Sequence, residues 1–211
     1  MMLFEKMRPD NWGAVIGQEK VVKMIQRLKD RGLGGRAFWI SGKSGQGKTT
    51  IAHLLAAEIA DDLYIEEIDA SGLTPARLSE IEASMHLGAF GKGGRCWIFN
   101  ESHGLRKDTI RRFLDVLERL PKKAMMIFTT TTENMTLFEE GLDSHPLLSR
   151  CTELQLTSQG LASKFAKLAK EIAQKEGLDG KPESAYLNLV NRCKSNMRQV
   201  LQEIEKGQML D

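Results

Sequence analysis

The sequence predicts an α/β protein, a parallel five-stranded sheet flanked by helices, followed by a small all-helical domain. Three observations predict it. Short apolar runs alternate with amphipathic segments through residue 156. A glycine-rich loop, GKSGQGKT (Gly42–Thr49), joins one such run to a helical segment. From Thr157 the strand-like runs stop and only helical periodicity continues. Parallel strands need crossovers, so strands alternating with helices point to a parallel sheet covered on both faces.

Each element follows in order. Glu19–Arg31 carries Val21, Val22, Ile25 and Leu28 at helical spacings, and RGLGG ends it. AFWISG (Ala37–Gly42) is a buried strand, and TTIAHLLAAEIA (Thr49–Ala60) a helix with Ile51, Leu54, Leu55 and Ile59 on one side. LYIEEIDAS is the second strand, LTPARLSEIEASM a helix with Pro75 near its start, and RCWIF the third strand. LRKDTIRRFLDVLERL is a strongly amphipathic helix, AMMIFTTT the fourth strand and TELQL the fifth. Three helical segments then follow: LASKFAKLAKEIAQKEG, ESAYLNLVNRCK and NMRQVLQEIE. The expected domains are 1–156 and 157–211, in contact because no flexible Gly/Ser linker separates them.

Composition narrows the class. With 41% apolar and 27% charged residues, the 211-residue chain reads as an ordinary globular protein. No apolar run approaches the ~20 residues that span a bilayer, so no membrane partner is expected. MMLFEKMRPD lacks the apolar core of a signal peptide, which predicts a cytoplasmic location. Cys96, Cys151 and Cys193 are scattered, without the spacing of a zinc or redox motif.

The chemistry concentrates at four places. GKSGQGKT fits G-x-x-x-x-G-K-[ST], with the required strand before it and helix after it. The backbone of Gly42, Lys43, Ser44, Gly45, Gln46, Gly47, Lys48, Thr49 and Thr50 is the expected phosphate cradle. Lys48 is placed to reach the β- and γ-phosphates, and the Thr49 hydroxyl to bind Mg2+. CWIFNE ends the third strand with Asn100 and Glu101. Glu101 is expected to polarise the attacking water. Asn100 brings an amide oxygen but no charge to the metal side, where such sites usually carry an aspartate. The threonine run after AMMIF sets hydroxyls where ligands bind in parallel sheets. In HPLLSRC, Arg150 matters if subunits assemble side by side.

These segments, in this order, resemble the AAA+ ATPases, and within them the small subunits of sliding-clamp loaders. RPDNWGAVIGQEKVV (Arg8–Val22) is similar to their opening segment, which implies that Arg8, Pro9, Val15 and Ile16 surround adenine. GKSGQGKT is similar to Walker A, EIDAS (Glu67–Ser71) to their second strand end, and IFNESHGL to Walker B with Asn100 in place of aspartate. FTTTT stands where sensor 1 sits, implicating Thr130 or Thr131. LSRC implies that Arg150 is an arginine finger acting in trans. SNMRQVLQEIE resembles the lid helix G-(S/D)-(M/L)-R, making Arg198 the sensor 2 candidate. The chain ends where these subunits continue into a collar domain, and it lacks the cysteines of the bacterial zinc module. The resemblance therefore implies an ATP hydrolase, weakened where Asn100 replaces the Walker B aspartate, that self-associates or joins related AAA+ subunits.

DNA is the other expected partner, with a sliding clamp or another protein client as a further one. Between Gly91 and Lys123 nine basic residues face four acidic ones, in a chain whose net charge is only +2. Lys92, Arg95, Arg106, Lys107 and Arg111 are the DNA candidates, through backbone contacts without sequence readout. The alternative is a solvated helix face whose arginines pair with Asp108 and Asp115. Three readings follow. The first is an ATPase coupled to DNA or DNA-bound protein in replication or a related transaction. The second is a nucleotide-gated assembly module with little hydrolysis. The third is a protein remodeller without DNA contact.

Overall fold

The computed structural model describes residues 1–132 and 145–210. Strands β1 (Arg36–Ser41), β2 (Ile65–Asp69), β3 (Arg95–Asn100), β4 (Ala124–Thr130) and β5 (Cys151–Gln155) form one sheet in the order β2-β3-β4-β1-β5. Every pairing is parallel, so all five C-terminal ends share one edge. The phosphate loop and the Asn100–Glu101 turn both leave from that edge. β4 lies between β1 and β3, which places the threonine run between the two motifs.

The apolar runs are continuous because both faces are covered. Period-two alternation sends Trp39, Trp97, Phe99, Met126 and Phe128 to one face. There they meet α4 (Pro75–Ser84), α5 (Lys107–Glu118) and α6 (His145–Leu148). Phe38, Ile40, Cys96, Ile98, Met125 and Ile127 go to the other face, against α2 (Glu19–Lys29) and α3 (Lys48–Ala56). Phe99 stacks on Phe128 at 5.1 Å, and the Phe113 ring meets both edge-on, fixing α5 against the centre of the sheet.

The remaining helices, α7 (Leu161–Lys175), α8 (Glu183–Arg192) and α9 (Met197–Glu205), enclose their own core. Leu3 of α1 (Leu3–Lys6) is buried in that core, so the first turn of the chain packs on the last helices. A four-residue helix is too short for periodicity to announce. Helix ends also differ from expectation. α3 stops at Ala56, and Glu58 and Ile59 close tighter turns onto Leu55 and Ala56.

Candidate nucleotide site

The phosphate loop is pinned from several sides. Gly45 and Gly47 have φ of 74° and 94°, a conformation that L side chains rarely adopt. A Cβ on Gly45 would come within 1.9 Å of Asn196 Oδ1, because the N-terminus of α9 rests on the loop. A Cβ on Gly47 would meet nothing within 4 Å, so that side of the backbone faces open space. The Gln46 side chain is buried. Its Oε1 accepts the Lys43 N–H at 2.9 Å and its Nε2 donates to the Ser158 hydroxyl at 2.8 Å. The Lys48 ammonium donates to the carbonyls of Gly42 (2.9 Å) and Lys43 (3.1 Å), folded across the loop it serves.

At the sheet edge a row of side chains crosses four elements. Thr129 Oγ1 donates to Asn100 Oδ1 at 3.0 Å, and Asn100 Nδ2 donates to Glu67 Oε2 at 2.7 Å. The other oxygen of Glu67 lies 2.5 Å from Nε2 of His53 on α3. Register explains the row: Asn100 and Thr129 each extend a line of apolar residues on the α3 face, and Glu67 lies two positions beyond Ile65 on that face. The His53 bond holds the Glu67 carboxyl below its usual range against the cost of burial, helped by Asn100 and the charge of Arg8. Neither His53 nor Thr129 was among the sequence candidates, and Glu67 entered only as the start of EIDAS.

Glu101 sits in the left-handed region (φ 52°, ψ 47°) with its carboxylate 3.4 Å from His103 Nδ1. Of the threonines, Thr129 and Thr131 line the cleft. Thr130 does not. It is fully buried on the opposite face, its hydroxyl 3.3 Å from His103 Nδ1, because alternation sends it inward.

A cleft of about 850 Å³ runs between this edge and the helical unit. Arg8, Pro9, Val15 and Ile16 line one part, Ser44 to Thr50 the floor, and Phe165, Met197, Arg198 and Leu201 the helical side. Of the expected loop residues, Gly42 and Lys43 lie just outside the lining, and Lys48 and Thr49 lie inside it with Asn100 and Glu101. The Arg198 guanidinium stands 5.3 Å above the Phe4 ring. Arg150 is not in this cleft. It is exposed beyond α6, its guanidinium on Glu118 and on the Pro146 carbonyl (3.0 Å).

The basic candidates divide in two. Arg106, Lys107 and Arg111 are exposed at the start of α5, on the nucleotide edge, and form no ion pair among the described residues. Lys92 and Arg95 lie at the opposite edge. Lys92 binds the Ala57 carbonyl, and Arg95 binds the Leu87 and Gly88 carbonyls and covers the Tyr64 ring. Arg112 turns to Ser79 and Glu82 on α4 rather than along its own helix.

No family model matches the chain. Among curated proteins it is similar to DNA polymerase III subunit gamma of Buchnera aphidicola, 26% identical over 205 residues, covering 84% of this chain and 54% of that one. It is also similar to subunit gamma/tau of Mycoplasma genitalium (26% over 198 residues, 81% and 32%) and subunit tau of Escherichia coli (25% over 182 residues, 74% and 27%). The chain thus spans about half or less of the length of these relatives. Among solved structures, the RuvB Holliday junction branch migration motor of Thermotoga maritima superposes with a TM-score of 0.70 at 22% identity, covering 94% of this chain and 64% of that one. A RuvB variant from the same organism reaches 0.74 at 21%. The fold is therefore the one seen in the RuvB motor, and the curated relatives are gamma and tau subunits of DNA polymerase III.

Proposed function

We propose that this chain is the nucleotide-binding part of a clamp-loader-like AAA+ ATPase acting in replication or a related DNA transaction. The observation that carries the reading is convergence. One cleft gathers the phosphate loop, the strand ends bearing Asn100 and Glu101, and the helix bearing Arg198. Its volume falls in the range of small-molecule and cofactor sites, ~300–1,000 Å³.

The residues present suit ATP with magnesium. The open backbone at Gly47 leads into the start of α3, where amide groups favour anions. Thr49, Asn100 and Glu67 offer oxygen donors on the metal side, as a hard cation requires. Magnesium would neutralise charge on the β- and γ-phosphates. Lys48, now on loop carbonyls, exchanges them for phosphate oxygens. Glu101 turns from His103 to orient the attacking water. Thr131 or Thr129 is placed to contact the γ-phosphate side. Arg198 approaches from the helical unit, and Arg150, remote from its own cleft, completes a neighbour's site.

The three exposed cations at the start of α5 favour DNA on the same edge, as a sequence-independent contact to phosphates. A second reading, a nucleotide-held assembly module with little turnover, draws support from the neutral Asn100 and from Glu101 resting on His103.

The test is steady-state ATPase activity against protein concentration, with and without primed duplex DNA. Glu101→Gln, Arg150→Ala and a mixture of the two are run alongside. Turnover that rises with concentration and DNA, vanishes in each variant and returns on mixing supports shared sites. ATP binding without turnover under every condition favours the assembly module.

A further inference from the structure

Asn100 stands where nucleotide sites of this kind need a negative charge, and it carries none. The structure puts a carboxylate one hydrogen bond away. We propose that Glu67 supplies the missing metal-side charge, so that the Glu67–Asn100 pair replaces a single aspartate at the end of β3. This rests on the nucleotide site argued above.

Three observations carry it. First, Glu67 Oε2 accepts from Asn100 Nδ2 at 2.7 Å, which leaves the Asn100 carbonyl oxygen on the side of Thr129. The neutral amide is oriented at both ends, and the charge it lacks sits on the partner that orients it. Second, the other Glu67 oxygen meets His53, four residues after Thr49 on α3. Residues at that spacing share a helix face, so the carboxylate lies in the wedge between the metal-side face of α3 and the end of β3. Third, the neighbouring acids on β2 are engaged elsewhere. Glu66 pairs with Arg77. Asp69 Oδ1 accepts from the Ser71 N–H (2.9 Å) and hydroxyl (2.6 Å), and Asp69 does not line the cleft. Among the described residues, Glu67 and Glu101 are the acids at this edge that line the cleft between the phosphate loop and the strand ends. A bland role, an ion pair with His53, accounts poorly for the arrangement. Both side chains are partly exposed, and such pairs add little to stability.

The experiment measures the affinity of a fluorescent ATP analogue in EDTA and in Mg2+; the ratio of the two reports how strongly metal couples to nucleotide. Mn2+ paramagnetic resonance on the same complexes reports the metal directly. Glu67→Gln, whose Oε1 accepts from Asn100 Nδ2 and whose Nε2 donates to His53 Nε2 in the tautomer protonated at Nδ1, is expected to leave the EDTA affinity unchanged and to reduce the ratio about tenfold, or ~1.4 kcal/mol. Adding Asn100→Asp to Glu67→Gln is expected to restore it. Asn100→Asp alone is expected to change the ratio less than about threefold, because the charge is already present. This last variant tests the idea without touching Glu67, should Glu67→Gln fail to fold. An unchanged ratio in Glu67→Gln, or a gain of tenfold or more in Asn100→Asp alone, overturns the role of Glu67 while leaving the nucleotide site standing. Absence of nucleotide binding by the wild-type chain in both conditions overturns the site and this proposal together.

Discussion

Glu101 holds a left-handed backbone conformation that glycine adopts without cost and glutamate does not. Strain of this kind costs on the order of 1 kcal/mol and persists where the surroundings impose it. Glu101→Gly should therefore raise the melting temperature by about 2–4 °C, the shift that ~1 kcal/mol produces in a chain of this size, while abolishing turnover. Calorimetry beside an ATPase assay checks both halves. A fall in melting temperature would mean that the His103 contact outweighs the strain. Arg150 makes the opposite case, since its ion pair with Glu118 is exposed and contributes ~0–1 kcal/mol. In the proposed trans role, Glu118 is a resting partner that Arg150 leaves for a neighbour's site. Arg150→Ala should cost about 10³-fold in turnover with nucleotide affinity unchanged, as for arginine fingers supplied in trans. Loss of nucleotide affinity in that variant would place Arg150 in its own cleft's architecture instead. Lys48 and Glu101, which line the cleft, were legible as candidates in the sequence because each lies within a contiguous motif. His53 and Thr129 were not. Their meeting through Glu67 and Asn100 depends on strand register between segments some thirty residues apart, and no local pattern encodes that.

At the scale of elements, the central strands β1, β3 and β4 were read to within a residue, because burial on both faces forces unbroken apolar runs, whereas the half-exposed edge strand β2 was read two residues too long at each end. The threonines were read only in part: Thr131 lines the cleft as expected, but so does Thr129, and Thr130 does not, because choosing among consecutive threonines needs the phase of the alternation, which the neighbouring strand supplies. The turn into α9 shows what a motif hides. Lys194 and Ser195 both have positive φ (51° and 58°), and Ser195 stands where the lid-helix pattern G-(S/D)-(M/L)-R has glycine. That turn delivers Asn196, which caps α9 by accepting the Gln199 N–H at 3.2 Å and lies against Gly45. Two outcomes follow. Ser195→Gly should stabilise the chain by about 1 kcal/mol with nucleotide affinity intact. Asn196→Ala should cost about 1 kcal/mol through the lost cap, and should also weaken nucleotide binding, because the same side chain lies against Gly45 of the phosphate loop, beside the Met197 N–H that donates to the Gly45 carbonyl at 3.3 Å. Denaturant melts with and without ATP separate the two effects. If Asn196→Ala lowers stability but leaves affinity unchanged, the contact between α9 and the loop is incidental.

For the whole molecule, the question is what makes the sheet unit and the helical unit close on one ligand. The composition count joined Lys92 and Arg95 with the cations of α5 because sequence distance was its only measure. The fold puts the two sets at opposite ends of a helix about 18 Å long, at ~1.5 Å per residue. The sequence did predict contact between the units, but not its means. Buried Gln18, from the GQEK stretch read only as part of the opening motif, clasps the connecting chain. Its Oε1 accepts the Thr157 N–H at 2.9 Å, and its Nε2 donates to the Thr157 carbonyl at 3.1 Å. Beside it, a Cβ on Gly17 would come within 2.2 Å of Leu161 on α7, so α7 packs directly on this corner. The segment that lines the cleft thus also fixes the joint on which the helical unit sits. Gln18→Ala leaves two backbone groups without their partner at a part-buried junction; a fully buried unmet group costs about 1–3 kcal/mol. The variant should lose stability within that range. It should also lose ATP affinity although Gln18 does not line the cleft, because the joint no longer sets how the helical unit and its Arg198 face the phosphate loop across the cleft. Gln18→Glu retains one acceptor for the Thr157 N–H and should fall between the two. Calorimetry of the three chains, alone and with saturating ATP, reads both effects. A destabilised Gln18→Ala chain with wild-type affinity would show that the units find their closed arrangement without this clasp.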